Sequence, residues 1–234
     1  MSTCALCQNN MCVVALHFAA LALATNEQRY YALRHGESIP NTRRLICSHP
    51  DDATRPHNGL SDRGKLQAED AAADVVRIAT LHRCAVAVCT SDFARAAQTA
   101  DAVHRALVAH DIQRWPEDAP LVSTSLRERG FGDLDGGGDD AYPLVWERDA
   151  VDADHREWGV ESVNSVRARA RSVVERLAAE PALARGRWMV VLVAHGDVLQ
   201  IAETWFRNRR GEVHRSLEHL PVATLRELEL RRGE

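Results

Sequence analysis

A chain of 234 residues with 45% hydrophobic and 26% charged residues can bury one sizeable core, or two small ones, and is neither disordered nor fibrous in composition. A formal net charge of -4 at pH 7 gives no global attraction to nucleic acid or to an acidic membrane. Lys65 is the one lysine, so nearly every positive charge is a guanidinium able to grip an oxyanion with two N–H groups.

Residues 1–28 read as an N-terminal extension to a domain covering residues 29–234. Met11 to Ala24 is apolar apart from His17, yet too short to span a bilayer. Ala22-Leu23-Ala24 has the small-residue spacing of a signal-peptidase site, but no Lys or Arg precedes the apolar run. Cleavage there would leave an odd set of cysteines: Cys47, Cys84 and Cys89. A cytoplasmic protein is the expectation; a secretory or membrane-associated one, through residues 11–24, is the alternative. Cys4 and Cys7 form a C-x-x-C with no second pair at zinc spacing, so no metal site is expected. Cys84 and Cys89 flank an apolar run and are expected as buried thiols.

The first strand is Tyr30-Tyr31-Ala32-Leu33, which empties into Arg34-His35-Gly36-Glu37. A polar stretch from Glu37 to Gly59 follows, with three prolines and Arg43, Arg44, His49, Arg55 and His57. It reads as a long loop, whose cations could select a second anionic group on a ligand, or could simply be solvated. Ser61 or Asp62 caps a helix to about Ala79, with Leu66, Ala73, Val75 and Val76 as its apolar face. Ala85 to Thr90 is a second strand, then Ser91-Asp92 caps a helix from Phe93 to about His110. Arg95 in that helix's first turn opposes the helix dipole, a conflict that a bound anion would remove.

A short strand near Leu121 to Ser123 leads to Leu126-Arg127-Glu128-Arg129-Gly130-Phe131-Gly132. A Gly- and Asp-rich loop spans Asp133 to Asp140, and a polar segment continues to about Gly159. A helix is expected from Ser162 to Glu180, and Trp188 to Ala194 is the clearest buried strand, ending in His195-Gly196. A helix containing Val198 to Phe206 and an alternating strand from Thr224 to Leu230 close the chain. Alternating strands and helices predict a three-layer α/β/α sandwich with a mainly parallel sheet.

Three strands thus end in groups suited to a phosphoryl anion: Arg34 with His35, Ser91 through Arg95, and His195. Open α/β sheets bind ligands at the carboxyl ends of their strands. At this point the chain resembles the histidine phosphatase superfamily, the phosphoglycerate mutase-like proteins. R-H-G-E-S with Asn41 is similar to that family's R-H-G-E-x-x-x-N. Gly59 to Gly64 with Gln67-Ala68 is similar to G-L-[ST]-x-x-G-x-x-Q-A, and Ser91 to Ala100 to S-D-x-x-R-A-x-Q-T-A. Leu126 to Gly132 resembles L-x-E-x-x-F/Y-G, and Ala194-His195-Gly196 resembles [SA]-H-G.

The resemblance implies a phosphomonoester hydrolase. His35 would attack phosphorus to form a phosphohistidine, dividing one displacement into two easier steps. Arg34, Arg95 and His195 would hold the nonbridging oxygens, with Asn41 as a neutral donor in the same pocket. Glu128 would be general acid, then base; outside the motif, an ion pair with Arg127 or Arg129 is the plainer reading. No metal or other cofactor is implied. A mutase is the alternative within the family, but its glutamate motif reads L-N-E-R-H-Y-G where this chain has L-R-E-R-G-F-G, and the Gly132–Gly159 connection is short. A catalytically silent phosphate-binding module would be expected to lack His35, His195 or Glu128. The implied substrate is a small phosphorylated metabolite, with a phosphoprotein as the second option, and neither nucleic acid nor a membrane is an expected partner. The substrate's identity and the oligomeric state stay open.

Overall fold

Alternation along the strands sorts the apolar residues onto two faces, and each face is roofed by helices. The computed structural model of the chain describes residues 28–229. The strands are β1 (Gln28–Arg34), β2 (Ala85–Thr90), β3 (Arg114–Trp115), β4 (Leu121–Val122), β5 (Trp188–Ala194) and β6 (Leu225–Leu228). Their order is β3-β2-β5-β1-β6, with β4 sharing the outer edge of β2 with β3. All pairs are parallel except β6 against β1.

The principal helices are α1 (Asp62–His82), α2 (Ala94–Ala109), α3 (Tyr142–Asp149), α4 (Val163–Ala178) and α5 (Gly196–Phe206). Tyr31, Leu33, Val86, Val88, Met189, Val191 and Val193 face one way, against α1 and α2. Their neighbours in sequence, Tyr30, Ala32, Ala87, Cys89, Val190 and Leu192, face the other way, against α4 and α5. Each valine or leucine so buried contributes about 1.5–3 kcal/mol. This is the three-layer sandwich with a mainly parallel sheet that the alternation predicts.

Register brings the motifs together. Arg34 lies opposite Ala194 and Thr90 opposite Val193. His35 N donates to Ala194 O (3.0 Å) and Ser91 N to Val193 O (3.0 Å), so three chain segments leave the sheet side by side.

Several local expectations need correction. Helix α1 is capped by Ser61, whose Oγ accepts from Gly64 N (3.0 Å), but it runs on to His82. Its buried face is Ala68, Ala71, Ala72, Val75, Val76 and Ala79, whereas Leu66 is 64% exposed and Ala73 is also exposed. At 3.6 residues per turn those two positions lie on the opposite side of the helix. Helix α2 begins one residue late, with Phe93 at its cap and no side-chain cap bond. Ser91 and Asp92 are engaged elsewhere, Ser91 with His195 and Asp92 with Arg127. Helix α3 lies within the stretch read only as a polar segment. Its buried side is Val145 and Asp149, and a helix that buries an aspartate shows no apolar period. Helix α5 starts at Gly196, and the two-residue β3 is an addition.

The expectations for residues 1–27, including the C-x-x-C and the apolar run, lie outside the described residues. No helix among the described residues is long and apolar enough to cross a membrane. Cys47, Cys84 and Cys89 are free thiols; Cys89 is buried and Cys84 half-buried.

Candidate active site

The turn after β1 is held by close backbone packing. A side chain on Gly36 would strike the Gly64 carbonyl, and one on Gly64 would strike the Glu37 carbonyl. Both glycines are therefore needed where this turn meets the start of α1. Gly36 N donates to Thr99 Oγ1 (3.1 Å), Glu37 N to Gln67 Oε1 (2.8 Å) and Leu60 N to Gln98 Oε1 (2.7 Å). The motif residues outside the chemistry thus fix the loops that present it.

His35 is 2% exposed, and its Nδ1–H is placed to donate to Gly36 O at 2.7 Å. That bond leaves the lone pair on Nε2, which receives Arg95 Nε–H at 3.1 Å. Burial first, then the Arg95 and Arg34 cations, holds the imidazole well below its ordinary 6.5. His195 lies beside it with ring centroids 5.1 Å apart, its Nε2 3.0 Å from Ser91 Oγ. Burial, followed by Arg95, also keeps His195 neutral at physiological pH.

Arg95 Nη2 donates to Cys47 O (2.9 Å), and Arg34 Nη1 donates to Leu220 O (2.9 Å). Three buried nitrogens remain without a partner here: Arg34 Nε, Arg95 Nη1 and His195 Nδ1. Leaving a buried donor unpaired costs about 1–3 kcal/mol, more for a charged group, and an acceptor-rich ligand would offset that cost. Phosphate offers acceptor oxygens and negative charge together.

The cavity, of about 240 Å³, is lined by Arg34, His35, Arg95 and Glu128, with Asn41 at its rim. Asn41 Oδ1 accepts from Ser38 N (3.1 Å) and Ser38 Oγ (2.8 Å), which leaves its amide nitrogen as the spare donor. Glu128 is half-buried and forms no surface pair with its neighbours: Arg127 binds Asp92 (2.6 Å) and Arg129 binds Asp149 (2.6 Å). Its Oε1 accepts from Arg129 N at 2.9 Å. Burial, then the Asp197 carboxylate, pushes its pKa up to about 7.

Sequence reasoning missed the far wall. Helix α3 presents Tyr142 and Trp146 one turn apart, their rings stacked with centroids 5.4 Å apart. Arg215 sits over Trp146 at 3.6 Å, and Asp197 and His219 complete the wall. The available signal was the Tyr-x-x-x-Trp spacing, which puts both rings on one helix face. The five loop cations and imidazoles between Arg43 and His57 do not line the cavity. Arg44 pairs with Asp139 (3.0 Å) and His57 with Asp52 (3.2 Å). Among the described residues, no group of three His, Cys, Asp or Glu is placed to hold a metal ion.

In this three-layer α/β domain, Arg34 at the end of β1 and Arg95 in the first turn of α2 each keep one buried nitrogen without a partner. The chain belongs to the histidine phosphatase superfamily, branch 1, whose family model matches residues 30–234. Among solved structures it is similar to a mycobacterial glucosyl-3-phosphoglycerate phosphatase in complex with VO3, at 26% identity and a TM-score of 0.65, covering 85% of this chain and 91% of that one. A structure called mycobacterial hydrolase 1 is 25% identical with a TM-score of 0.65, over 85% of this chain and 87% of its own. An Escherichia coli protein proposed to be an alpha-ribazole-5'-P phosphatase shares the fold at 19% identity and a TM-score of 0.60, over 86% and 89%. No curated protein matches the sequence.

Proposed function

We propose that this chain is a phosphomonoester hydrolase that works through a phosphohistidine on His35. The observation that carries the reading is that Arg34 Nε, Arg95 Nη1 and His195 Nδ1, buried and without partners, belong to residues grouped around a neutral imidazole whose Nε2 lone pair meets only Arg95 Nε–H. In the first step Nε2 attacks phosphorus while the ester P–O bond breaks and the Glu128 proton passes to the leaving oxygen. In the second, water attacks phosphorus, Glu128 takes its proton, and the P–Nε2 bond returns its electrons to the ring. Arg34, Arg95 and His195 hold the nonbridging oxygens in both steps, and Asn41 adds a neutral donor. Two guanidinium charges offset a phosphate dianion, so the scheme needs no divalent ion.

The substrate is a small phosphorylated metabolite. The cavity of about 240 Å³ is smaller than a typical drug-sized site, and the similar mycobacterial enzyme is named for a small phosphorylated ester. Hydrolysis is favoured over a mutase reaction by the Gly130-Phe131 sequence and by a Gly132–Gly159 connection that holds only the eight-residue α3 as regular helix. The active unit, expected from the sequence as residues 29–234, is taken to begin at Gln28, which opens β1, behind an N-terminal extension, and its thiols suit the reducing cytoplasm.

A panel of phosphomonoesters, scored by kcat/KM with and without EDTA, tests the reading. Turnover of at least one ester, unchanged by EDTA, is expected. Glu128→Gln should slow an alkyl phosphate by about 10²–10⁴-fold and an aryl phosphate, whose leaving group needs no proton, far less. Binding of phospholigands without turnover across the panel would return the chain to the silent-module reading. Equal losses for both ester types would remove Glu128 as the acid.

A further inference from the structure

Asp197 is an anion in a pocket that otherwise collects anions. It is 5% exposed, follows directly on His195-Gly196 in the first turn of α5, and lines the same cavity as Glu128. Trp146 Nε1 donates to its Oδ2 at 3.2 Å, Arg129 Nη1 stands 3.7 Å from the same oxygen, and Arg215 Nη1 stands 3.5 Å from Oδ1. The start of a helix also favours a carboxylate. Two guanidinium groups, an indole N–H and the helix start thus face its carboxylate, and a negative charge here works against phosphate binding. Such a charge calls for a use.

Glu128 supplies one. Unlike Asp197 it makes no ion pair among the described residues. The charged and titratable groups sharing its cavity are Arg34 from β1 with His35 after it, Cys47 and Asp139 from two loops, Arg95 from α2, Tyr142 from α3 and Asp197 from α5. Arg215 and His219, from the segment after α5, close the rim. We propose that Asp197 is a positioning residue for proton transfer, its fixed charge keeping the proton on Glu128 until the leaving oxygen takes it. This rests on the reading of Glu128 as general acid.

Burial and Asp197 act in the same direction on Glu128, against Arg95, the Arg129 N–H and Arg34. Paired carboxylates whose environments differ divide the roles in this way, one charged and one protonated. The arrangement serves both half-reactions. After the proton has left, Glu128 is a second negative charge near Asp197, and that repulsion makes it a better base toward the attacking water.

The test is the pH dependence of kcat/KM for glycerol 1-phosphate and p-nitrophenyl phosphate. Asp197→Asn keeps an acceptor for Trp146 and removes the charge; Asp197→Ser removes it with a different side chain, should the first variant fold poorly. Each is expected to move the alkaline limb for the alkyl ester down by about one pH unit, an approximately tenfold loss at fixed pH above 7 and little loss near pH 5. The aryl ester should lose less, and inhibition by inorganic phosphate should tighten. Asp197→Glu, which keeps the charge, should restore the limb. An unmoved limb, or a pH-independent loss equal for both esters, would mean that Asp197 only braces the wall. An alkaline limb that persists in Glu128→Gln would instead overturn the acid assignment, a separate failure from this one.

Discussion

Two buried charge clusters lie side by side in this molecule, and they are finished differently. In the cavity, Arg34 and Arg95 each keep a buried guanidinium nitrogen without a partner. Beneath the far wall, Arg129 is wholly buried and fully engaged: Asp149 takes two bonds (2.6 and 2.8 Å), and Glu161 O takes a third (2.6 Å). His155 Nε2 lies 2.8 Å from Asp149 Oδ1 and His214 Nε2 3.6 Å from Oδ2. What that cluster leaves unpaired is one nitrogen on each of two imidazoles, a smaller debt than an unpartnered nitrogen on a charged guanidinium. The difference separates charges left with open donors, which the proposed function gives to a ligand, from charges that hold the fold. Arg129 follows Glu128, Asp149 shares α3 with Trp146, and His214 precedes Arg215, so the paired cluster fixes the wall of the unpaired one.

The sharpest way to break this contrast is to exchange the roles. Arg95→Met should cut kcat/KM by about 10²–10³-fold while costing little stability, since the guanidinium's donors are incompletely used. Added inorganic phosphate should raise the Tm of the wild type, by the equivalent of about 2.7 kcal/mol at a hundred times its Kd, and much less in the variant. Asp149→Asn should do the reverse. Breaking a buried pair costs about 3–5 kcal/mol, so chemical denaturation should show a large loss, with phosphate still stabilising whatever fraction folds. A variant of Arg95 that unfolds, or one of Asp149 that merely slows turnover, would erase the distinction.

Glu128 sharpens the comparison through pH. Its pKa is raised in the fold from an ordinary 4.5 to about 7, so the unfolded chain releases the proton first as pH rises. Its contribution to stability is therefore whole below about pH 4.5 and is lost between there and pH 7. Glu128→Gln should consequently be more stable than the wild type at pH 8, on the order of 1–3 kcal/mol, and no more stable at pH 4. Denaturant midpoints at the two pH values read this directly; equal differences at both would show that Glu128 is not strained. The smallest effect is expected at the amino terminus. Gln28 pairs with Trp188 and donates to Leu183 O at 3.1 Å, so deletion of residues 1–27 should leave Tm and activity close to those of the full chain. Insoluble or inactive protein would place that segment in the core.

Most of the fold and the grouping of Arg34, His35, Arg95 and His195 were legible because both rest on short-range patterns. Trp188 to Ala194 is a continuous apolar run, and the R-H-G and A-H-G motifs stand where β1 and β5 end. Parallel register then makes His35 and His195 neighbours without further information. The far wall was not legible because its residues act across the chain. Asp149 is polar in sequence and buried in space, and that concealed α3 and with it Tyr142 and Trp146. Arg215 and His219 come from a segment with no regular period, whereas the conspicuous cations from Arg43 to His57 lie outside the cavity. That loop lines the cavity through Ser38, Pro40, Asn41, Leu45 and Cys47 instead, and its cations are solvated or paired; only tertiary packing selects which cations share a cavity.

The central claim is covalent chemistry at His35, and rapid quenching tests it most directly. The enzyme is mixed with a ³²P-labelled phosphomonoester, quenched in base within the first turnover, and the labelled residue is identified after digestion. The account predicts an acid-labile, base-stable phosphoryl group on His35, formed equally in EDTA, absent from His35→Ala and diminished in His195→Ala. Label on a serine or cysteine, or label that forms only when a divalent metal is restored, would contradict it.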